Sequence, residues 1–189
     1  IELAGYLWTP IGDTTKGFAG ELSGNGHTVR NLYISSTKND QGLIGLLNTN
    51  GKVHDLTVTG SVITTGKDAA GIVGKAKTKT TIVNCLNRAD VTAASSAAGV
   101  VGMADGMVSK AAAAKNAPAI TGCGNTGTIT ATDEAGCAGG VASVASMFLA
   151  RGGVMKDCFN VGTVTGAGKS GAVTNTTNKQ KQADGGGNY

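Results

Sequence analysis

Ile82-Val83-Asn84-Cys85-Leu86-Asn87-Arg88-Ala89-Asp90-Val91 contains the interval that decides the fold. Its first four residues have counterparts in Val53-His54-Asp55-Leu56, Ile120-Thr121-Gly122-Cys123 and Met155-Lys156-Asp157-Cys158. In every copy an apolar residue stands six positions after the fourth: Val62, Val91, Ile129 and Val164. The distance between copies is not constant: 29 residues from Leu56 to Cys85, then 38, then 35. A Leu that exchanges with Cys marks an inward apolar position. Leu56, Cys85, Cys123 and Cys158 therefore form one column, and Leu32 is expected to head it. The residue before each member is Asn31, Asp55, Asn84, Gly122 or Asp157. These types suit tight turns and left-handed backbone.

A second pattern alternates with the first. It reads Gly42-Leu43-Ile44-Gly45, Gly71-Ile72-Val73-Gly74 and Gly99-Val100-Val101-Gly102, with weaker copies at Gly139-Gly140-Val141-Ala142 and Gly171-Ala172-Val173. Two alternating strand patterns with loops of variable length predict a solenoid. A single coil cannot bury its own apolar face. Stacking coils about 4.8 Å apart joins their backbones and aligns like residues in interior ladders. The predicted fold is all-β: a right-handed parallel β-helix of about five coils, occupying residues 1–174. Residues 1–30 are expected to form an N-terminal cap in which Trp8 and Phe18 cover the open core. Residues 175–189 read as a polar, Gly-rich tail or linker.

Composition agrees with this reading. The 189 residues include 31 Gly but only 3 Phe, 3 Tyr and 1 Trp, so the core rests on Val, Ile, Ala and Leu. A net charge of +4 is too mild, and too poor in stacking aromatics, to imply nucleic acid. No stretch reaches the roughly 20 apolar residues of a membrane span. Starting at Ile1, the chain reads as a processed product or a piece of a longer protein.

Several segments resemble the bacterial GLUG-motif repeat family: Trp8-Thr9-Pro10-Ile11-Gly12, Phe18 to Thr28, Asn31-Leu32-Tyr33-Ile34, Gly42-Leu43-Ile44-Gly45, Asn84-Cys85-Leu86-Asn87 and Asp157 to Gly162. The resemblance covers most of residues 5–174. It implies a secreted or cell-surface bacterial protein, of the kind found in adhesins and in accessory regions of immunoglobulin A peptidases. It assigns no catalytic residue to the repeats.

Several motifs that resemble functional sites have plain structural roles in the repeat. Gly122-Cys123-Gly124-Asn125-Thr126-Gly127 fits a dinucleotide fingerprint, but a strand rather than a helix is expected after it, so it reads as one copy of the repeat. Gly166-Ala167-Gly168-Lys169-Ser170 lacks the first glycine of a phosphate loop. No cofactor and no metal site is expected, because the Cys spacing does not suit zinc. Cys85, Cys123 and Cys158 are expected to be buried free thiols. His27 and His54 read as lone structural residues.

A carbohydrate-active enzyme needs two carboxylates about 5 to 9.5 Å apart. Asp55 and Asp157 share a column but stand about 14 Å apart by coil spacing. The chain is therefore expected not to be an enzyme by itself. The candidate binding surface comprises two sets. Lys75, Lys77 and Lys79 alternate toward one face. Two insertions, expected to be short helices, leave successive coils at the same corner: one contains Lys110 and Lys115 in a helix-prone run, Ser109 to Lys115, and the other contains Met147 and Phe148 in the apolar run Val144 to Ala150. Insertions on one face of a solenoid often mark a binding surface. The expected partner is a host glycan or protein, or another domain of the same polypeptide. The favoured role is a non-catalytic surface module for adhesion, recognition or spacing. The alternatives are an accessory domain of a secreted immunoglobulin A-type metallopeptidase and a polysaccharide-active β-helix.

Overall fold

A computed structural model describes residues 1–104, 119–144 and 153–174. All the regular structure described is β. The first coil contains β1 (Glu21–Ser23), β2 (Thr28–Ser36) and β3 (Ile44–Leu47). The second contains β4 (Lys52–Thr64), β5 (Ala69–Ala70) and β6 (Val73–Ala76). The third contains β7 (Thr81–Asn87), β8 (Asp90–Ala93), β9 (Ser96–Ala98) and β10 (Val101–Ala104). The fourth contains β11 (Ala119–Thr121), β12 (Gly124–Asn125), β13 (Ile129–Ala131), β14 (Cys137–Gly139) and β15 (Ala142–Val144). The fifth contains β16 (Val154–Lys156), β17 (Phe159–Asn160), β18 (Val164–Gly166) and β19 (Lys169–Gly171).

The chain is a parallel β-solenoid. Strands pair with their counterparts one coil away, so the sheets run β15-β10-β6-β3 and β19-β14-β9-β5, with a third, larger sheet carrying the Cys column. Leu22, Val53, Ile82, Ile120 and Met155 stack in register, five levels separated by four full turns. The interval of six is confirmed, because Val62, Val91, Ile129 and Val164 form their own column. Residues 1–20 lie on the first coil through single parallel bridges, Glu2 with Arg30, Ile11 with Ile44 and Phe18 with Leu47. Trp8 and Phe18 pack half-buried against the core. The two segments expected to be helical fall outside the described residues, except that Val144 ends β15. The tail from 175 to 189 also lies outside them.

The Cys column forms as expected. Leu56 pairs with Cys85, and the flanking registers set Cys123 between Cys85 and Cys158. Asp55, Asn84, Gly122 and Asp157 all take positive φ, between 52° and 62°. That conformation turns the chain at one corner of each coil and is open to Gly, Asn and Asp at low cost. Leu32 does not head the column. It pairs with Gly60, because the register slips between Val29 and Leu32 and the turn after β1 occupies the place beside Leu56.

Each column thiol donates to a carbonyl two residues earlier in its own chain: Cys85 Sγ to Val83 O at 3.2 Å, Cys123 Sγ to Thr121 O at 3.4 Å, and Cys158 Sγ to Lys156 O at 3.3 Å. All three are buried thiols, while Cys137 is half-buried. Cys158 hydrogen-bonds Cys123 in a sense that lowers the Cys123 pKa, but contact with Cys85 and burial outweigh it and push the thiol up to about 12. The bond to Cys123 followed by burial raises Cys158 further. Thiolate is the reactive form. Iodoacetamide on the native protein is therefore expected to label Cys137 and spare the other three until denaturant is added, as peptide mass spectrometry would show. Labelling of Cys123 at the native rate of Cys137 would contradict the buried ladder.

Two positions further along each coil runs a second ladder that the sequence reading passed over. Asn87 Nδ2 donates to Asn125 Oδ1 at 2.7 Å, and Asn125 Nδ2 donates to Asn160 Oδ1 at 2.7 Å. Each amide also closes a turn, donating to the carbonyl two residues on: Ala89, Gly127 and Gly162. Asn87 and Asn125 are fully buried, and this mutual satisfaction makes their burial tolerable. The signal was present as Cys-x-Asn in three copies; Val58 fills the same position one coil earlier.

Candidate functional site

The interior is filled by ladders, so chemistry must lie on outward side chains and at the ends. Lys75 lies on β6, stacked between Leu46 and Met103 and half-buried. Lys77 follows the strand and is anchored by its N–H to Leu47 O at 2.9 Å. Lys79 sits exposed in the next turn with φ 59°. The three lysines thus divide between a strand and a corner, because the strand ends at Ala76 before the alternation is complete. Lys110, Lys115, Met147 and Phe148 lie outside the described residues.

Asp40 and Asp68 lie on neighbouring turns of the first two coils. The hydrogen bonds Asp40 N–H to Lys67 O, 2.9 Å, and Gln41 N–H to Asp68 O, 3.2 Å, stack the two turns on adjacent coils. Asp40 is 7% exposed. Burial first, then the charge of Asp68, raises its pKa, while Lys75 pulls the other way. The pair escaped notice because it stands outside the repeated motifs.

His54 is not alone either. Its Nδ1 lies 2.7 Å from Asp55 Oδ2 and its Nε2 3.0 Å from Glu21 Oε1. Lys52 Nζ is 3.5 Å from Glu21 Oε2, and Asn84 Nδ2 donates to Asp55 Oδ1 at 3.0 Å. Parallel pairing of β1 with β4, Ser23 beside His54, brings the cluster together across 33 residues of sequence. Among the described residues no group of three or more His, Cys, Asp or Glu is arranged to hold a metal ion.

Two concave surfaces adjoin these groups. A cavity of about 440 Å³ opens at the N-terminal end, lined by Leu3, Trp8, Ile11, Leu22, Val29 and Leu56, with His27 and Arg30 among its polar residues. Trp8 Nε1 donates to Leu43 O at 3.1 Å, which fixes the indole. On the side of the first two coils, an open groove is lined by Tyr6, Leu7, Asn31, Tyr33 and Ser61. Tyr6 is 73% and Tyr33 47% exposed. The Gly122–Gly127 stretch follows β11 and contains β12, with the strand β13 after it, so its glycines serve turn and ladder. Gly166 to Ser170 likewise joins β18 to β19. Among the described residues no helix is long and apolar enough to cross a membrane.

No protein-family model and no solved structure matches the chain. A Gly-rich membrane protein of Evansella cellulosilytica is 37% identical over 81 residues, 39% of this chain and 9% of that protein. Halomucin of Haloquadratum walsbyi is 38% identical over 102 residues, 52% of this chain and 1% of halomucin. The chain thus spans less than a tenth of the length of either relative.

Proposed function

We propose that the chain is a non-catalytic module of a secreted or cell-surface bacterial protein, acting in adhesion, recognition or spacing. The observation that carries this reading is the in-register stack from Leu22 to Met155. Each added coil extends a stiff rod by about 4.8 Å without changing its cross-section. The two relatives support it: one is described as a membrane protein, and in both the similar stretch is a small part of a far longer chain. The resemblance to GLUG repeats belongs to the same proposal.

The partner in this reading is a glycan. Tyr6 and Tyr33 offer exposed rings beside the amide of Asn31 and the hydroxyl of Ser61, a combination suited to a sugar ring and its hydroxyls. Binding of the purified protein to an immobilised glycan array is expected. Tyr33→Ala should weaken it by about tenfold, the effect of removing an aromatic anchor. A variant lacking 105–117 tests the insertion instead. If that deletion abolishes binding and Tyr33→Ala leaves it unchanged, the groove is not the site; if no glycan binds, the spacer role remains.

One observation favours a second reading. Asp40 and Asp68 place two acids on stacked turns of adjacent coils, and a polysaccharide-active enzyme needs two carboxylates near each other. At 7% exposure, however, Asp40 is out of reach of a polymer, and a structural role accounts for it more directly.

A further inference from the structure

We infer that Glu21, His54 and Asp55 form a pH-dependent clasp that holds β1 against β4 and thereby controls the width of the apolar mouth at the N-terminal end. The argument starts from hydrogen-bonding capacity. A carboxylate only accepts, and a neutral imidazole has one donor. His54 nevertheless faces carboxylate oxygens on both sides, at 2.7 and 3.0 Å. A neutral ring would set a bare nitrogen lone pair against one of them. The arrangement is complete only for the imidazolium.

The surroundings set the direction. On β1, Glu21 also meets Lys52, from β4, at 3.5 Å. On β4, Asp55 flanks the ring. On β7, Asn84 holds the far oxygen of Asp55, and Val83, the register partner of His54, is uncharged. The facing groups are thus two carboxylates, one lysine and one amide. Their position matters because β1 is only three residues long and pairs with β4. Leu22, Ser23, Gly24 and Asn25, on and just after β1, line the end cavity together with Trp8.

The pH window follows from the directions. The hydrogen bonds first to Asp55 and then to Glu21 raise the His54 pKa above 6.5. The clasp is therefore complete below the ordinary imidazole value and is lost as pH rises through the raised one. Glu21, paired first with His54 and then with Lys52, and Asp55, paired first with His54 and then with Asn84, are both lowered. Their contribution is complete above the ordinary carboxylate range and is lost as pH falls through the lowered values. The mouth is held narrow in mildly acid solution and loosened toward alkaline pH.

These charges are solvent-exposed, so the effect is local and modest, up to about fivefold in an opening equilibrium. The test is amide hydrogen exchange on the full chain across pH, corrected for intrinsic exchange rates, with the imidazole shifts of His54 and His27 followed by NMR. Residues 21–25 are expected to lose protection by up to about fivefold as His54 deprotonates, while β13 keeps its protection. Glu21→Gln should shrink that step and move the His54 titration toward that of a free imidazole. His54→Gln should remove the step altogether. A step of undiminished size in His54→Gln, or its absence from the unaltered protein while His54 visibly titrates, would overturn the clasp.

Discussion

Gly60→Ala is expected to destabilise the protein by at least about 3 kcal/mol, read as a lower urea midpoint with unchanged slope. Gly60 lies inside the longest strand, β4, at φ +132°, a region essentially closed to residues with a Cβ. Space is lacking as well. A methyl there would lie against the backbone nitrogen and carbonyl of Leu32, its register partner on β2. Neither can retreat, because Leu32 is fully buried and the pairing resumes immediately through Tyr33–Ser61 and Ile34–Val62. Gly26 provides the control. It also has positive φ, +76°, but nothing lies within 4 Å of the added carbon. Gly26→Ala should cost only the left-handed backbone preference, about 1 kcal/mol. Equal costs at the two sites would mean that the close approach of β2 to β4 is not real.

The second large effect is expected at the middle of the amide ladder. Asn125→Ala should cost about 3 kcal/mol in thermal or urea unfolding. The truncation removes donor bonds to Gly127 O at 2.9 Å and Asn160 Oδ1 at 2.7 Å. It also strands the Asn87 amide, which gave its hydrogen to Asn125 Oδ1, inside a fully buried site. A buried donor left without a partner costs more than the bond itself contributed. A linked result can be checked by a double-mutant cycle. A carbon added at Gly99 would lie against Gly140 O, 2.5 Å from Asn125 Oδ1 and 2.7 Å from Asn125 Cβ. Asn125→Ala relieves the Oδ1 contact alone, so Gly99→Ala and Asn125→Ala together should cost slightly less than their sum. A combined cost above the sum would contradict the contact of Asn125 Oδ1 with the glycine strand.

These two sites differ in how visible they were beforehand. The Asn ladder repeats with the coil, as Cys-x-Asn at 85–87, 123–125 and 158–160, so its members were present in the pattern although its bonding was not read from it. Gly60 has no such repeat. It answers a slip in the first coil, where Gly24 to His27 displaces β2 so that Leu32 meets Gly60 rather than Leu56.

The same division runs through the candidate sites. The lysine alternation 75–77–79 promised one face, but the strand stops at Ala76 and turns the last charge onto a corner. His54 looked isolated because its nearest acid on another coil, Glu21, is 33 residues earlier and belongs to no motif. Asp40 and Asp68 were likewise unmarked.

By itself the sequence determined the stacking. The constant step of six, the Leu-to-Cys column and the Asn, Asp or Gly before it repeat because each coil meets its neighbours in register, and like positions then face like surroundings. Tertiary structure alone decided which unlike residues meet. Spacings of 29, 38 and 35 residues leave the Val53, Ile82, Ile120 and Met155 positions in register, whereas the slip between Val29 and Leu32 sets Leu32 beside Gly60. No local pattern records such a slip.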